Sequence, residues 1–385
     1  MKYIELNYFF TIGLIMKICI VLSTRPEIIK LASLIQILEK KKIDFFLVNT
    51  NQHYTNIMSK VFFNFFKIPK PKYNIGISNT SYDDFFSKSI DGIKKVLDKE
   101  KPNYLIVQGD TNTSLAGCFA ASIFNRKYFI DDKKIKIVHI EAGLRSFDEK
   151  MPEEINRKLI DQLSSILFVP TKFDLQNLKN EKLISNKKVF TVGNTISDII
   201  KKNLPLIKKN DILKKLKLLK KNYFLITLHR PESVDDPIKL NKLIYDLEKI
   251  GKKFNTNFLF PVHPRTEKKI KKLSIKKLDF LKIIKPLEFL NFLSIMNNSK
   301  IIFTDSGGIQ EEASLLGVPC ITIRETTERQ LSLKNKSNIL TGYNYTKILK
   351  AITYFNRYNG KPSKIFGDGK VADKIFNILK KINNK

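Results

Sequence analysis

The sequence predicts an α/β protein of two domains, each built on a parallel sheet with crossover helices. Three observations lead there. The chain has 385 residues, more than one hydrophobic core ordinarily serves and enough for two domains of common size. From Met16 onward, apolar runs of strand length alternate with helical patterns. The runs fall into two series, parted by the lysine-rich stretch 201–221, which reads as a linker and the first helix of the second domain.

Taken in order, the first series covers 18–22, 45–48, 104–107, 135–140, 166–169 and 189–192. The second covers 223–228, 257–262, 282–284, 301–304 and 319–323. The domain boundary is expected near 197–204, and residues 371–382, after Gly367-Asp368-Gly369, have the spacing of a closing amphipathic helix. Residues 1–15 hold a short apolar run with Glu5 inside it, no strongly basic start and no clear cleavage site. They read as a non-native extension rather than a signal peptide.

Composition removes several function classes. Cys19, Cys118 and Cys320 are an odd number, scattered without CxxC spacing among apolar neighbours, so neither a disulfide framework nor a zinc site is expected. There is no HExxH and no GxGxxG, which argues against a metal centre and against a dinucleotide oxidoreductase. No cofactor is expected. The net charge of +32 invites a nucleic-acid reading, but the lysines are spread along stretches such as 214–221 and 268–277, as on solvated helix faces. No apolar stretch reaches the ~20 residues that span a bilayer. The expected chain is cytoplasmic, with neither nucleic acid nor membrane as partner.

The chemistry gathers after the strands. In parallel sheets that edge collects loops and the positive N-termini of the following helices. Arg25, His53, Asp110, Glu141, Asn194, His229, His263, Ser306 and Arg324 each stand at or just beyond the end of a run, whereas His139 lies inside one and reads as a core histidine. In TDSGGIQEEASLLGVP the two glycines would let backbone amides approach a phosphate at a helix N-terminus. Adjacent Glu311 and Glu312 point about 100° apart on a helix, so only one can face such a ligand. Asp110 and Glu141 each close a strand and would share a crevice if those strands are neighbours; paired carboxylates of separated pKa serve proton abstraction and donation. Pro152 suits the first position of a helix carrying Glu153 and Glu154 in its first turn.

Taken together, STRPEIIK, VQGDTNTSLA, HIEAGLRS, MPEEINRKLID, VGNTISD, LHRPESVD, PVHPR, TDSGGIQEEASLLGVPC, RETTER and IFGDGKVADKI stand in the order seen in the non-hydrolysing UDP-N-acetylglucosamine 2-epimerases. The chain resembles that family from Met16 to about Ile378. The resemblance implies a GT-B fold, two Rossmann-like domains facing a central cleft. Residues 16–198 would form the domain with the catalytic carboxylates and 199–366 the UDP-binding domain, with 367–385 a helix crossing back to the first. It implies reversible C2 epimerisation of UDP-GlcNAc to UDP-ManNAc through UDP elimination and a 2-acetamidoglucal, in the service of polysaccharide biosynthesis, by a homodimer. A modified UDP-2-acetamido sugar as substrate, or a GT-B glycosyltransferase, is the alternative.

Carried over residue by residue, Asp110, Glu141 and Glu153 match the family's catalytic carboxylates, and His229 would contact the nucleotide and assist departure of UDP. Arg25, Lys30, Phe292, Ser306, Gly307, Gly308 and Glu312 match substrate-binding positions, Phe292 through its backbone and Glu312 through the ribose hydroxyls. Gln52 and His53 match a regulatory UDP-GlcNAc site. Three departures stand out: Ser23 where glycine usually precedes Thr24, Pro231 where some members carry arginine, and Gln330-Leu331 where Pro-Glu usually follows Arg329.

Overall fold

The computed structural model describes residues 16–51, 56–77, 81–127, 134–273, 278–358 and 360–384. The first sheet comprises β1 (Lys17–Leu22), β2 (Asp44–Asn49), β3 (Tyr73–Asn74), β4 (Tyr104–Gln108), β5 (Lys136–Ile140), β6 (Ile166–Val169) and β7 (Lys188–Thr191), in the order β3-β2-β1-β4-β5-β6-β7. The second comprises β8 (Tyr223–Thr227), β9 (Asn257–Pro261), β10 (Leu281–Ile284), β11 (Ile301–Thr304), β12 (Cys320–Thr322) and β13 (Asn338–Leu340), in the order β10-β9-β8-β11-β12-β13. Both follow the doubly wound pattern of nucleotide-binding sheets. The protein is thus an α/β chain of the GT-B class with two Rossmann-like sheets.

Every apolar run read from the sequence is a strand. The two strands without such a run are β3 and β13, of two and three residues at sheet edges, each paired on one side only. An edge strand that short buries too little to leave a pattern. The central strands show the opposite extreme, β4, β8 and β11 being buried along their whole length.

Phenylalanines anchor the second sheet. Phe224, Phe258 and Phe303, from β8, β9 and β11, meet with ring centroids 5.0 to 5.5 Å apart and no exposed surface. Each contributes about 1.5–3 kcal/mol of apolar burial. The three cysteines are buried thiols, and burial pushes Cys320 up to about 12, out of reach of ordinary thiolate chemistry.

By compactness the chain divides into one unit reaching to Ile140 and taking in Gln162–Leu167 and Ala372–Lys385, and a second unit of Glu141–Asp161 and Phe168–Val371. The closing helix runs from Val371 to Asn383. Among the described residues no helix is long and apolar enough to cross a membrane.

Candidate active site

Strand order reverses between β1 and β4 and again between β8 and β11, and ligands of such sheets bind beyond the carboxyl ends of the strands at that point. In the second sheet, Thr227 of β8 lies beside Thr304 of β11, their hydroxyls 2.7 Å apart. Asp305 follows and is wholly buried. Its Oδ2 accepts the backbone N–H groups of His229 and Arg230, both at 2.9 Å, and His229 Nδ1 stands 2.9 Å from its Oδ1. Burial alone would push this carboxyl up; the imidazole and the backbone donors outweigh it and hold the group at about 2. An ionised Asp305 fixes the ring, which is 46% exposed, and leaves Nε2 as the nitrogen able to meet a ligand.

The two glycines beyond Ser306 have different reasons. A Cβ on Gly307 would lie 2.0 Å from Glu328 Oε1, whereas one on Gly308 meets nothing nearer than Ser306 Oγ at 3.9 Å. Gly307 is therefore demanded by a buried carboxylate beneath the turn, and Gly308 leaves open space above it. The helix Gly307–Leu316 starts there without a side-chain cap from Ser306, so its first N–H groups and its dipole are available to an anion. Glu311 is buried and ion-paired with Arg329 at 2.7 Å, while Glu312 is half-buried on the neighbouring face.

In the first sheet Glu27 plays the part that Asp305 plays in the second. Buried, it accepts Ser23 N at 2.9 Å, Thr24 N at 2.6 Å and the Thr111 hydroxyl at 2.6 Å, tying the loop after β1 to the loop after β4. Burial raises its pKa, with those hydrogen bonds opposing. Ser23 has an ordinary negative-φ backbone, so this loop needs no glycine there. Arg25 starts the helix Arg25–Lys40 and lies over the Phe62 ring at 4.9 Å, and Lys30 is buried one turn on. Asp110 directly precedes Thr111 and is half-buried. Strands β4 and β5 are neighbours with Gln108 beside Ile140, so Asp110 and Glu141 follow adjacent strands. His139 is a satisfied core histidine, its Nε2 bonded to Gly109 O at 2.9 Å beside Asp110.

Glu141 is held in the left-handed region at φ 77°, which costs a residue with a side chain on the order of 1–3 kcal/mol and marks a place where function is sought. Its N–H and that of Ala142 both bond to Phe168 O, at 3.0 and 3.1 Å. Helix Pro152–Leu163 begins at Pro152, and its paired acids divide the labour. Glu154 is buried and takes the Ser146 N–H and hydroxyl, both at 2.9 Å, and Arg157 at 2.9 Å. Glu153 is half-buried in the same turn.

Comparison with known proteins settles the kinship. The UDP-N-acetylglucosamine 2-epimerase family model matches residues 36–380. The chain belongs to the UDP-N-acetylglucosamine 2-epimerase family. It is 46% identical to the UDP-N-acetylglucosamine 2-epimerase of Methanococcus maripaludis over 94% of its own length and 98% of that protein's. A crystal structure of the Methanocaldococcus jannaschii UDP-GlcNAc 2-epimerase in complex with UDP-GlcNAc and UDP superposes with a TM-score of 0.86 at 43% identity, covering 95% of this chain and 100% of that one. The UDP-2,3-diacetamido-2,3-dideoxy-D-glucuronate 2-epimerase of Pseudomonas aeruginosa is 35% identical over 95% of the chain and all of that protein.

For an epimerase of this family the departures cost little. Pro231 opens the short helix Pro231–Val234, whose Ser233 bonds to the Tyr343 hydroxyl at 2.9 Å. Gln330 opens the helix Gln330–Lys334 and gives its side-chain N–H to Thr327 O at 2.6 Å. Asn194 is buried and gives Nδ2 to Glu311 at 2.8 Å, and Arg324 is buried on Glu328 at 3.0 Å, so both support the site rather than open onto it. The Phe292 N–H is taken by Glu288 O at 2.8 Å within the helix Phe289–Asn298. His263 is exposed just ahead of the helix Pro264–Ile270. Gln52 and His53 lie outside the described residues, as do residues 1–15. Among the described residues no group of three His, Cys, Asp or Glu could hold a metal ion.

Sequence reasoning did not single out Asp305, Glu328 or Arg329. All three stand inside the motifs TDSGG and RETTER, but a buried partner leaves no periodic signal, and only the contacts reveal it.

Proposed function

We propose that this enzyme interconverts UDP-GlcNAc and UDP-ManNAc by removal and return of the C2 proton. The observation that carries the reading is the switch point of the second sheet, where an oriented His229 follows β8 and the open helix N-terminus at Gly308 follows the neighbouring strand β11. That is an arrangement for a diphosphate. The solved relative bound to UDP-GlcNAc and UDP lends the substrate its identity.

In this reading one carboxylate among Asp110, Glu141 and Glu153 takes the C2 proton while the C1–O bond breaks, its electron pair leaving with UDP. The departing charge is met by the helix N-terminus and by His229. The resulting 2-acetamidoglucal is then re-protonated from the opposite face as UDP adds back. Glu312 holds the ribose hydroxyls, with Arg25 and Lys30 on the nucleotide side. No cofactor takes part.

Proton NMR with UDP-GlcNAc in D₂O tests this directly. UDP-ManNAc should appear, with deuterium at C2 of both sugars. Free ManNAc and UDP would instead indicate a hydrolysing enzyme. A second substrate is worth the same assay, because the Pseudomonas relative is named for a diacetamido uronic-acid sugar. Turnover of that sugar alone would replace the first reading.

A further inference from the structure

At the switch point of the second sheet a hydroxyl stands where a buried strand would ordinarily end in valine. Thr227 closes β8 and Thr304 closes β11, and the two are partners in register. Both are buried, and their Oγ1 atoms lie 2.7 Å apart in a hydrogen bond that either hydroxyl can donate. Thr304 Oγ1 also accepts the Ser306 N–H at 3.0 Å. One oxygen thus joins the end of β8 to the residue that precedes Gly307 and Gly308. The backbone bond at the same level, from the Asp305 N–H to Thr227 O, is long at 3.4 Å. Valine has the same shape as threonine and suits a buried strand equally well, whereas a buried hydroxyl costs free energy unless it is hydrogen-bonded. The threonine at 304 is therefore explained by the bonds its oxygen makes.

We propose that Thr304, with Thr227 behind it, is a positioning residue for the diphosphate: by taking the Ser306 N–H it sets the angle at which Gly307 and Gly308 enter their helix. This rests on the reading of that turn as the diphosphate seat. His229 stands two residues after Thr227 and Ser306 two after Thr304, so the hydroxyl pair also fixes the spacing between the two strand ends that carry them.

The test compares UDP with uridine, which has the same base and ribose and no phosphate. Affinities for both are measured by NMR titration for the wild type, Thr304→Val, Thr304→Ser and Thr227→Val, alongside melting temperatures and the kcat and KM for UDP-GlcNAc. Thr304→Val keeps the shape and strands the Ser306 N–H, so UDP affinity is expected to fall about tenfold, with uridine affinity changed less than about twofold. Thr304→Ser keeps the hydroxyl and is expected to rescue UDP affinity to within about twofold of wild type. Thr227→Val leaves the Ser306 bond in place and is expected to cost UDP only about threefold. KM for UDP-GlcNAc should follow UDP affinity while kcat changes less than about threefold, as when a uniform binding contact is lost. A structural role without positioning predicts a lower melting temperature with UDP and uridine weakened alike, and that result overturns the proposal. So does a serine variant that fails to rescue. Should Thr304→Val fail to fold, the Thr227→Val/Thr304→Val double variant, which sets two apolar groups of the same shape against each other, carries the same expectation. Phosphate-dependent UDP binding that Thr304→Val leaves intact defeats this inference alone, whereas a wild type that binds UDP no more tightly than uridine removes the diphosphate reading and this proposal with it.

Discussion

Two pairs of adjacent glutamates, Glu153-Glu154 and Glu311-Glu312, show how residue identity and residue role part company. In each pair one member is buried in a structural ion pair and the other is half-buried at the candidate site. Their variants should therefore separate. Glu153→Gln, like Asp110→Asn and Glu141→Gln, is expected to cut turnover by about 10² or more while leaving UDP binding nearly intact. Glu154→Gln should instead lower the melting temperature, because it strands the buried Arg157; breaking such a pair costs about 3–5 kcal/mol. Glu312→Gln should chiefly weaken UDP binding, which calorimetry would read. Equal behaviour within either pair would refute the division. A similar split applies to Asp305→Asn, which keeps the shape beside His229 but loses the charge that orients it. We expect kcat to fall at least tenfold with a smaller change in UDP affinity.

At the scale of elements, the turn from β11 into the helix Gly307–Leu316 makes a paired prediction. Gly307→Ala forces a methyl group onto Glu328 and should cost both stability and activity. Gly308→Ala meets only Ser306 Oγ, at an ordinary contact distance of 3.9 Å, and alanine is the better helix former by about 1 kcal/mol, so stability should hold or rise. A raised KM for that stable variant, seen in steady-state kinetics, is the signature of a phosphate seat. A second element carries a pH dependence. Asp174, in the first turn of the helix Lys172–Asn180, is lifted by burial from 3.8 to about 7, with the Thr171 hydroxyl and Arg329 opposing. A raised carboxyl stabilises the fold fully below its unfolded pKa and loses that contribution as pH climbs through the folded one. Stability should thus decline between about pH 4 and pH 7, by up to about 4 kcal/mol. Asp174→Asn should flatten that decline, so that its melting temperature exceeds the wild type's at pH 8 and not at pH 5. The long central strands were legible because period and apolarity repeat over four or more residues; β3 and β13 were not, because a two- or three-residue edge strand is decided by its neighbour's hydrogen bonds.

For the whole molecule the net charge of +32 is a physical load. Like charges over the surface repel, and salt screens them with a Debye length near 10 Å at about 0.1 M. Raising sodium chloride from about 20 mM to about 300 mM should accordingly raise the melting temperature, with UDP affinity changing far less than the steep loss a nucleic-acid interface would show. Calorimetric scans and titrations at the two salt concentrations check both halves of that statement.

The sequence by itself determined the α/β class, the eleven principal strands and the family, because these depend on local periodicity and on ordered motifs that survive in one dimension. What only the tertiary structure decided is which acid of each pair is buried in an ion pair and which is half-buried, why Gly307 must lack a side chain, and that Asp305, Glu27 and Arg329 bind residues distant from them in the chain. Those are facts about partners far apart in the chain: Arg329 is 188 residues from Glu141, and Asp305 is 76 from His229. Burial and pairing are set by what the folded chain brings alongside a residue, and no spacing in the sequence encodes that neighbour.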